Sequence, residues 1–546
     1  MMPPLPQFSC PVYTMDDWFY WKHRYQYATT SNPAAIMSPG AIICPQYPNA
    51  DADVTTAIEY AVKNHCAIAI RTGGHAYSGT SSTDSNNIQL DLSDAYKDWK
   101  YDAVTGLLTV GVSYTLLEFN TQLAKAGLFM PTGQCSNVHL GGHVQTGGYG
   151  QLTRAFGLLA DHILSFDIFL ADGKKRTVTP ADDLFFAVLG GGPGNYGIMT
   201  HVTFRALKDL DHNHSCAFRK VIPYDPKLDH DVLVRLFKLV RDWESAPGDY
   251  DFSFTVASAE DNFFWNYFGI ASYDDFLVRL SGKNPGSSPF NFLSVYFQYS
   301  NLDNTDSYDR QWCNKIKTIL ADANKTVGWW DGFKNWVKQK LIDHFVPPCD
   351  DGVPTPISKS VTKLWTYQGT REFNYPFLKN VQLTDQVADP DKWPEWVASR
   401  IDDLIARSEG CMVVTQCENF GGPNSAMRKN AARKQTSYAW RDTTVGYCLD
   451  AFYNPNVPNA RWAVGEWQKV NNCEGIGPCG KLSKVDHRWF CFSHGDTNMS
   501  DVWQFYYSPE DYHRCLEIKK KYDPNGVFTP NSFVVGYPDT APKHVA

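Results

Sequence analysis

Two glycine-rich loops sixty residues apart carry the side chains best equipped for chemistry in this 546-residue chain (135 − 75 = 60). The first, RTGGHAYSG at residues 71–79, presents His75 behind Gly73 and Gly74. The second, GQCSNVHLGGHVQTGGYG at 133–150, holds Cys135, His143 and the glycines Gly133, Gly141, Gly142, Gly147, Gly148 and Gly150. Glycine lets a backbone approach a ligand closely and offer its amides, as phosphate-holding loops do. Imidazole and thiolate are the side chains nucleophilic enough at neutral pH to add to an electron-poor centre. Taken singly, His75 reads equally as a loop histidine bonded to backbone, and Cys135 as a small buried hydrophobe. A zinc site would want closely paired ligands, which neither loop has, and Cys473, Cys479, His487 and His494 are spaced too loosely. A Cys–His nucleophile pair has little need of several glycine loops. A large phosphorylated ligand and no metal are expected.

The elements that must position these loops are legible nearby. Val54, Ala57, Ile58, Ala61 and Val62 recur with helical period, and Ala67–Ile70 reads as a short buried strand that empties into the first loop. Further strands are expected at 88–92, 107–112 and 164–170, with a helix over 115–126. A third glycine loop, GGGPGNYGI, contains Gly192, Gly194 and Gly197 in the GxGxxG spacing of dinucleotide sites. That fingerprint requires a following helix, whereas Ile198, Thr200, Val202 and Phe204 alternate as a strand. Near the C-terminus, Ser508 caps a helix with Pro509 in its first turn and Asp511 in the capping-box position, and Asp523-Pro524 ends it.

The bulk properties bound the rest. A chain of this length divides into more than one domain. Net charge is −8, and the basic residues form no run longer than Lys519–Lys521, so a nucleic-acid partner has no electrostatic support. No apolar stretch is long enough for a membrane span. The N-terminal residues lack the basic and apolar regions of a secretory signal, which leaves a cytoplasmic protein or a processed secreted form. Fourteen scattered cysteines settle neither compartment nor disulfides. Oligomeric state is not readable.

Taken in order, RTGGHAYSG, the second loop with QLTRAFGLLADHI, LADG, GGGPGNYGI and YYSPEDYHRCLEIKKKYDPNGVF resemble the berberine bridge enzyme-like flavoproteins of the vanillyl-alcohol oxidase and p-cresol methylhydroxylase superfamily. The resemblance implies an α+β, two-domain flavoprotein: an FAD-binding domain over residues 1–206 to which 494–546 return, and a substrate domain over 207–493 built on an antiparallel sheet with helices. It also implies FAD bonded twice, through His75 to the 8α-methyl and Cys135 to C6. Cofactor contacts are implied for Arg71, Thr72, Gly73, Gly74, Ser78, Gly79, Val138, Gly141, Gly142, His143, Gly147, Gly148, Gly150, Asp161, Ile163, Gly192, Asn195, Gly197 and Ile198. Val138, three residues after the cysteine, goes in the family with oxygen access and favours an oxidase.

The closest pattern is that of carbohydrate oxidases such as hexose oxidase and gluco-oligosaccharide oxidase, which pair a tyrosine with an acidic residue to take the substrate's hydroxyl proton. CENFGGPNSAM at 417–427 resembles the segment supplying the acid, which makes Glu418 the candidate. The glutamate of alkaloid-cyclising members is replaced by Ala426. Where the family has NYxD this chain has SHGD at 493–496, so His494 stands at the tyrosine position and could serve as base. Tyr77 matches a supporting active-site tyrosine. The expected activity is oxidation of a sugar or polyol hydroxyl to lactone or ketone, with O2 reduced to H2O2. The alternatives are oxidation of an alkaloid, polyketide or aromatic alcohol, and a flavin-carrying protein without turnover.

Overall fold

The computed structural model describes residues 2–24, 26, 36–76, 78–259, 290–305, 307–323, 336, 339–340, 342–343, 347–364, 377–384, 391–407, 410–453, 456–474 and 498–542. Two of the expected site residues, Tyr77 and His494, lie outside them.

The chain first builds a four-stranded sheet in the order β1 (Val12–Tyr13), β2 (Ala41–Ile43), β4 (Ile88–Asp91) and β3 (Ile68–Arg71). Strands β2 and β3 both run parallel to β4, so their connection must cross over, and the helix Ala50–Asn64 does so. Val54, Ala57, Ile58 and Ala61 form its buried stripe, while Val62 faces outward. The helix stops at His65, whose left-handed backbone (φ 51°) turns the chain into β3. The first loop leaves the end of β3, as expected from the sequence.

A five-stranded antiparallel sheet follows, ordered β5 (Trp99–Asp102), β6 (Leu107–Gly111), β10 (Ile198–Arg205), β8 (Ile163–Phe169) and β9 (Lys175–Val178). A small ribbon pairs β7 (Leu128–Phe129) with β11 (Leu207–Lys208). The third glycine loop runs straight into β10, so a dinucleotide fold of the helix-following kind is excluded. The helix Leu116–Lys125 carries a complete capping box between Thr115 and Glu118.

The third sheet is antiparallel and six-stranded: β12 (Cys216–Pro223), β14 (Phe290–Tyr299), β13 (Tyr250–Ala259), β16 (Cys411–Asn419), β17 (Val445–Tyr453) and β15 (Phe377–Thr384). Alternation divides it into two faces. Phe252, Phe254, Val256, Val295, Phe297, Cys417 and Leu449 pack with helices Pro226–Asp242 and Lys392–Ala406 into a core of their own. The opposite face is polar yet buried: Asp251, Ser253, Thr255, Ser294, Tyr296, Gln298 and Glu418. A buried polar face is costly unless something satisfies it, which marks this side of the sheet as the working one.

The C-terminal helices Met499–Tyr506 and Pro509–Tyr522 return to the first core, with Cys515 and Ile518 among its residues. Lys519, which reads in the sequence as part of a solvated basic run, is fully buried. Its ammonium donates to the carbonyls of Asn195 and Phe528 and to Asp523 Oδ2 at 2.6 Å, so all three of its N–H groups are used. The tail is thereby fastened to the third glycine loop.

Two buried side chains lock the sheet domain to the first. Arg154, on the short helix Thr153–Phe156, directs its guanidinium to the carbonyls of Glu244, Ala246, Pro247, Tyr250 and Gly421. Arg441 reaches the other way and forms a two-pronged ion pair with Asp161, at 2.6 and 3.0 Å. No helix among the described residues is long and apolar enough to cross a membrane.

Candidate functional site

The two chemically equipped loops meet. A Cβ added at Gly73 would lie 2.8 Å from His139 Nδ1 and 3.0 Å from its backbone nitrogen, and one at Gly141 would lie 2.8 Å from Thr72 Cγ2. Only glycine permits an approach this close, so the glycines serve first to bring the His75 loop against the Cys135 loop. Cys135 is a half-buried thiol, and Val138, also partly buried, packs on the first core. Tight turns follow: Gly74, Gly79, Gly147 and Gly148 all adopt positive φ.

His143 is partly buried, and desolvation pushes its pKa down to about 4. It is therefore neutral at physiological pH, and its Nε2 accepts a hydrogen bond from the Gly133 amide at 2.9 Å. That bond assigns the ring proton to Nδ1. Gly148 packs on the same ring, where a Cβ would come within 3.1 Å of Nε2. Gly150 abuts the Thr132 carbonyl and permits no side chain there.

Several expected cofactor contacts have protein partners instead of open valences. Arg71 donates to Asp91 Oδ2 at 2.8 Å beneath the first loop, and that carboxylate also meets His23 Nδ1 at 3.0 Å. The guanidinium holds the Asp91 pKa down at about 2. Cys44 completes a His23–Cys44–Asp91 group of metal-ligand type, but Arg71 already supplies the positive charge there. Asp161 accepts from Arg441, from Asn430 and from the Leu158 amide, which makes it a clamp between domains. Asn195 turns its amide onto Gly191 O, closing the third loop over Gly192 and Gly197, whose backbones have positive φ. Ile163 and Ile198 are buried core residues at strand starts.

The polar sheet face meets the second loop through a residue that sequence reasoning passed over. Gln134 Nε2, one position before Cys135, donates to Glu418 Oε1 on β16. Glu418 is buried, and burial followed by repulsion from Asp251 pushes its pKa up to about 8, against the opposing effect of the Gln134 bond. Asp251 lies on β13 at the same face and its pKa is likewise pushed up to about 8, by burial above all. An aromatic group borders this spot, with Tyr149 edge-on to Phe420 at 5.7 Å and to Trp440 at 6.3 Å. The adjacent Tyr438 hydroxyl donates to the carbonyls of Val144 and Gln145.

Comparison with known proteins decides the family. Residues 44–179 match the FAD binding domain model, and residues 494–532 match the model described as berberine and berberine like. The FAD-linked oxidoreductase sor8 of Hypocrea jecorina is 34% identical over 499 residues, covering 87% of this chain and 72% of that protein. The chain belongs to the berberine bridge enzyme-like family of FAD-linked oxidoreductases. Its fold is the two-domain α+β fold of berberine bridge enzyme-like flavoproteins. Berberine bridge enzyme from Eschscholzia californica superimposes with a TM-score of 0.67 at 18% identity, covering 97% of this chain and 96% of that one. Xylooligosaccharide oxidase from Myceliophthora thermophila C1, solved with xylobiose, gives 0.65 at 20%, covering 96% and 97%.

The loops fit FAD. Ser78 Oγ in the first loop and Ser136 Oγ in the second are shut from solvent with no protein hydrogen-bond partner. Buried hydroxyls are seldom left so, and both would find acceptors or donors on a polar cofactor.

Proposed function

We propose that this family member is an oxidase of a sugar or polyol hydroxyl, with FAD bonded through His75 and Cys135. Bound FAD supplies the two-electron acceptor, and O2 then takes those electrons to give H2O2. The supporting observation is the Gln134–Glu418 hydrogen bond, which sets a buried carboxyl group beside the cysteine loop. In this reading Glu418 takes up or steers the hydroxyl proton as the alcohol becomes a carbonyl, together with His494 as base and Tyr77 in support. A buried carboxyl titrating near 8 is well matched to exchanging a proton at working pH. The polar face around it offers the hydroxyls of Ser253, Thr255 and Ser294 to a ligand rich in hydroxyl groups. The xylobiose carried by the related xylooligosaccharide oxidase is a ligand of that kind.

His75, Cys135 and the three loops hold the cofactor in this proposal, with His143 neutral and donating from Nδ1. Residues 1–206 with 494–546 form the FAD-binding domain, and 207–493 the substrate domain. The Tyr149, Phe420 and Trp440 edge favours a second reading, in which an aromatic alcohol or other secondary metabolite stacks there. Anaerobic bleaching of the flavin separates the two. Reduction by mono- or oligosaccharides supports the first, reduction by aromatic alcohols alone supports the second, and bleaching by neither class overturns both.

A further inference from the structure

Asp251, which carries no role so far, sits in a particular relation to Glu418. Ser253 on β13 is the direct cross-strand partner of Glu418 on β16. Asp251 lies two residues before Ser253 on the same strand, hence on the same face and diagonal to Glu418. Direct partners in such a sheet have Cβ atoms about 5 Å apart and diagonal ones about 7–8 Å, near enough for two buried charges to repel each other. All three residues are buried. Among the described residues, Asp251 Oδ2, Ser253 Oγ and Glu418 Oε2 are each shut from solvent with no hydrogen-bond partner. Three such atoms in succession on one face mark a working surface, because a buried polar atom left unmet costs stability.

The remaining oxygens are anchored from outside the sheet. Asp251 Oδ1 accepts the backbone amides of Arg154 at 2.9 Å and Ala155 at 3.4 Å, both from the first domain. Glu418 Oε1 accepts from Gln134, also from the first domain. The two carboxyl groups are thus both anchored by the first domain, and each keeps a second, buried oxygen that none of these bonds uses. The charged and titratable groups around them are Arg154, Asp249, Tyr296 on β14, Arg219 one strand further along the same row, and Cys417. Of these only Arg154 and Arg219 are cationic. The Arg154 guanidinium is already saturated by carbonyls, and Arg219 donates to the Pro347 carbonyl.

We propose that Asp251 and Glu418 titrate as one coupled pair, holding a single proton between the two buried acids, so that Asp251 is the positioning residue that sets when Glu418 can take a proton. This rests on the reading of Glu418 given above. Two buried carboxylates this near cannot both ionise cheaply, so the proton comes off the pair and not off either residue.

The test follows the infrared carbonyl band of protonated carboxyl groups in the flavin-loaded protein as pH is raised, with Asp251→Asn/Glu418→Gln as the blank. In Asp251→Asn the Glu418 band is expected to titrate at least one pH unit lower than in the wild type. The Asp251 band in Glu418→Gln is expected to shift likewise. Ser253→Ala, which keeps both acids, is expected to leave the Glu418 midpoint close to that of the wild type. Unchanged midpoints in both carboxyl variants would overturn the pairing, and a shift in Ser253→Ala as large as that in Asp251→Asn would overturn a direct coupling of the two acids. Flavin absorbance and thermal midpoint verify that each variant is folded. The band is read without turnover, so failure of every alcohol to bleach the flavin would sink the oxidase proposal while leaving this titration to judge the pair.

Discussion

Gln134 and Glu418, 284 residues apart in sequence, are joined by a hydrogen bond that spans the two domains. One is the neighbour of the cysteine expected to hold the cofactor, and the other is the acid expected to handle the substrate's proton. The bond fixes the distance between the two halves of the proposed reaction.

Removing it has a signed consequence. Gln134 stabilises the ionised form of Glu418, so Gln134→Leu raises the Glu418 pKa further. The acid limb of the kcat/KM profile is expected to move to higher pH, with a loss of about tenfold at pH 7, the size of one hydrogen bond to a charged group. Steady-state rates across pH check this, and an unmoved limb would show that Glu418 does not govern the rate.

The two predicted flavin bonds are separable. Cys135→Ala and His75→Ala are each expected to keep flavin with the protein after acid precipitation, while the double variant releases it into the supernatant. Release of all flavin by both single variants would disprove the two-bond model.

Gly73→Ala tests whether the loops must touch. The added methyl would press on His139, 2.8 Å away, and drive the second loop from the first. The outcome expected is flavin still attached through His75 but with the cysteinyl bond largely lost, read by peptide mass after proteolysis.

The Asp161–Arg441 pair is buried at the domain junction. Arg441→Ala leaves the Asp161 carboxylate with only its Asn430 and backbone contacts and is expected to destabilise by about 3–5 kcal/mol. Urea unfolding at pH 7 measures it. A loss below about 1 kcal/mol would mean that water enters and relieves the charge.

Stability should also fall as pH rises. Glu418 titrates normally at 4.5 when unfolded but near 8 when folded, so between these values the native state holds more protons. By linkage, stability then decreases with rising pH through that window and levels off above about 8. Glu418→Gln is expected to flatten this slope, as seen in thermal midpoints taken from pH 5 to 8.

What could be read in advance divides along physical lines. The loops and the elements beside them were legible because a helix stripe such as Val54–Ala61 and the capping residue Ser508 act over a few positions. The strand Ile198–Arg205 likewise announced itself by alternation and ruled out the dinucleotide reading of Gly192, Gly194 and Gly197. The same alternation was present in Asp251–Val256, with polar and apolar residues in turn, but its meaning depended on a partner strand some 160 residues on. Gln134, Arg154 and Arg441 were invisible for the same reason, since nothing local marks a side chain whose partner lies in the other domain. Lys519 misled in the opposite way. Three successive lysines look solvated, yet on a helix one of them falls on the face of Cys515 and Ile518 and is buried.

That lysine sets an order of events during synthesis. The first core is filled by residues 41–206 together with side chains from 420–448 and 499–535, and the third glycine loop is fastened by Lys519. At about 5–20 residues per second, the ribosome makes the rest of the chain over tens of seconds before that lysine emerges. The sheet domain is therefore complete while the nucleotide-holding half still lacks a wall. Cofactor capture becomes one of the last acts of maturation, and a nascent chain stalled before residue 519 is expected to leave the ribosome colourless.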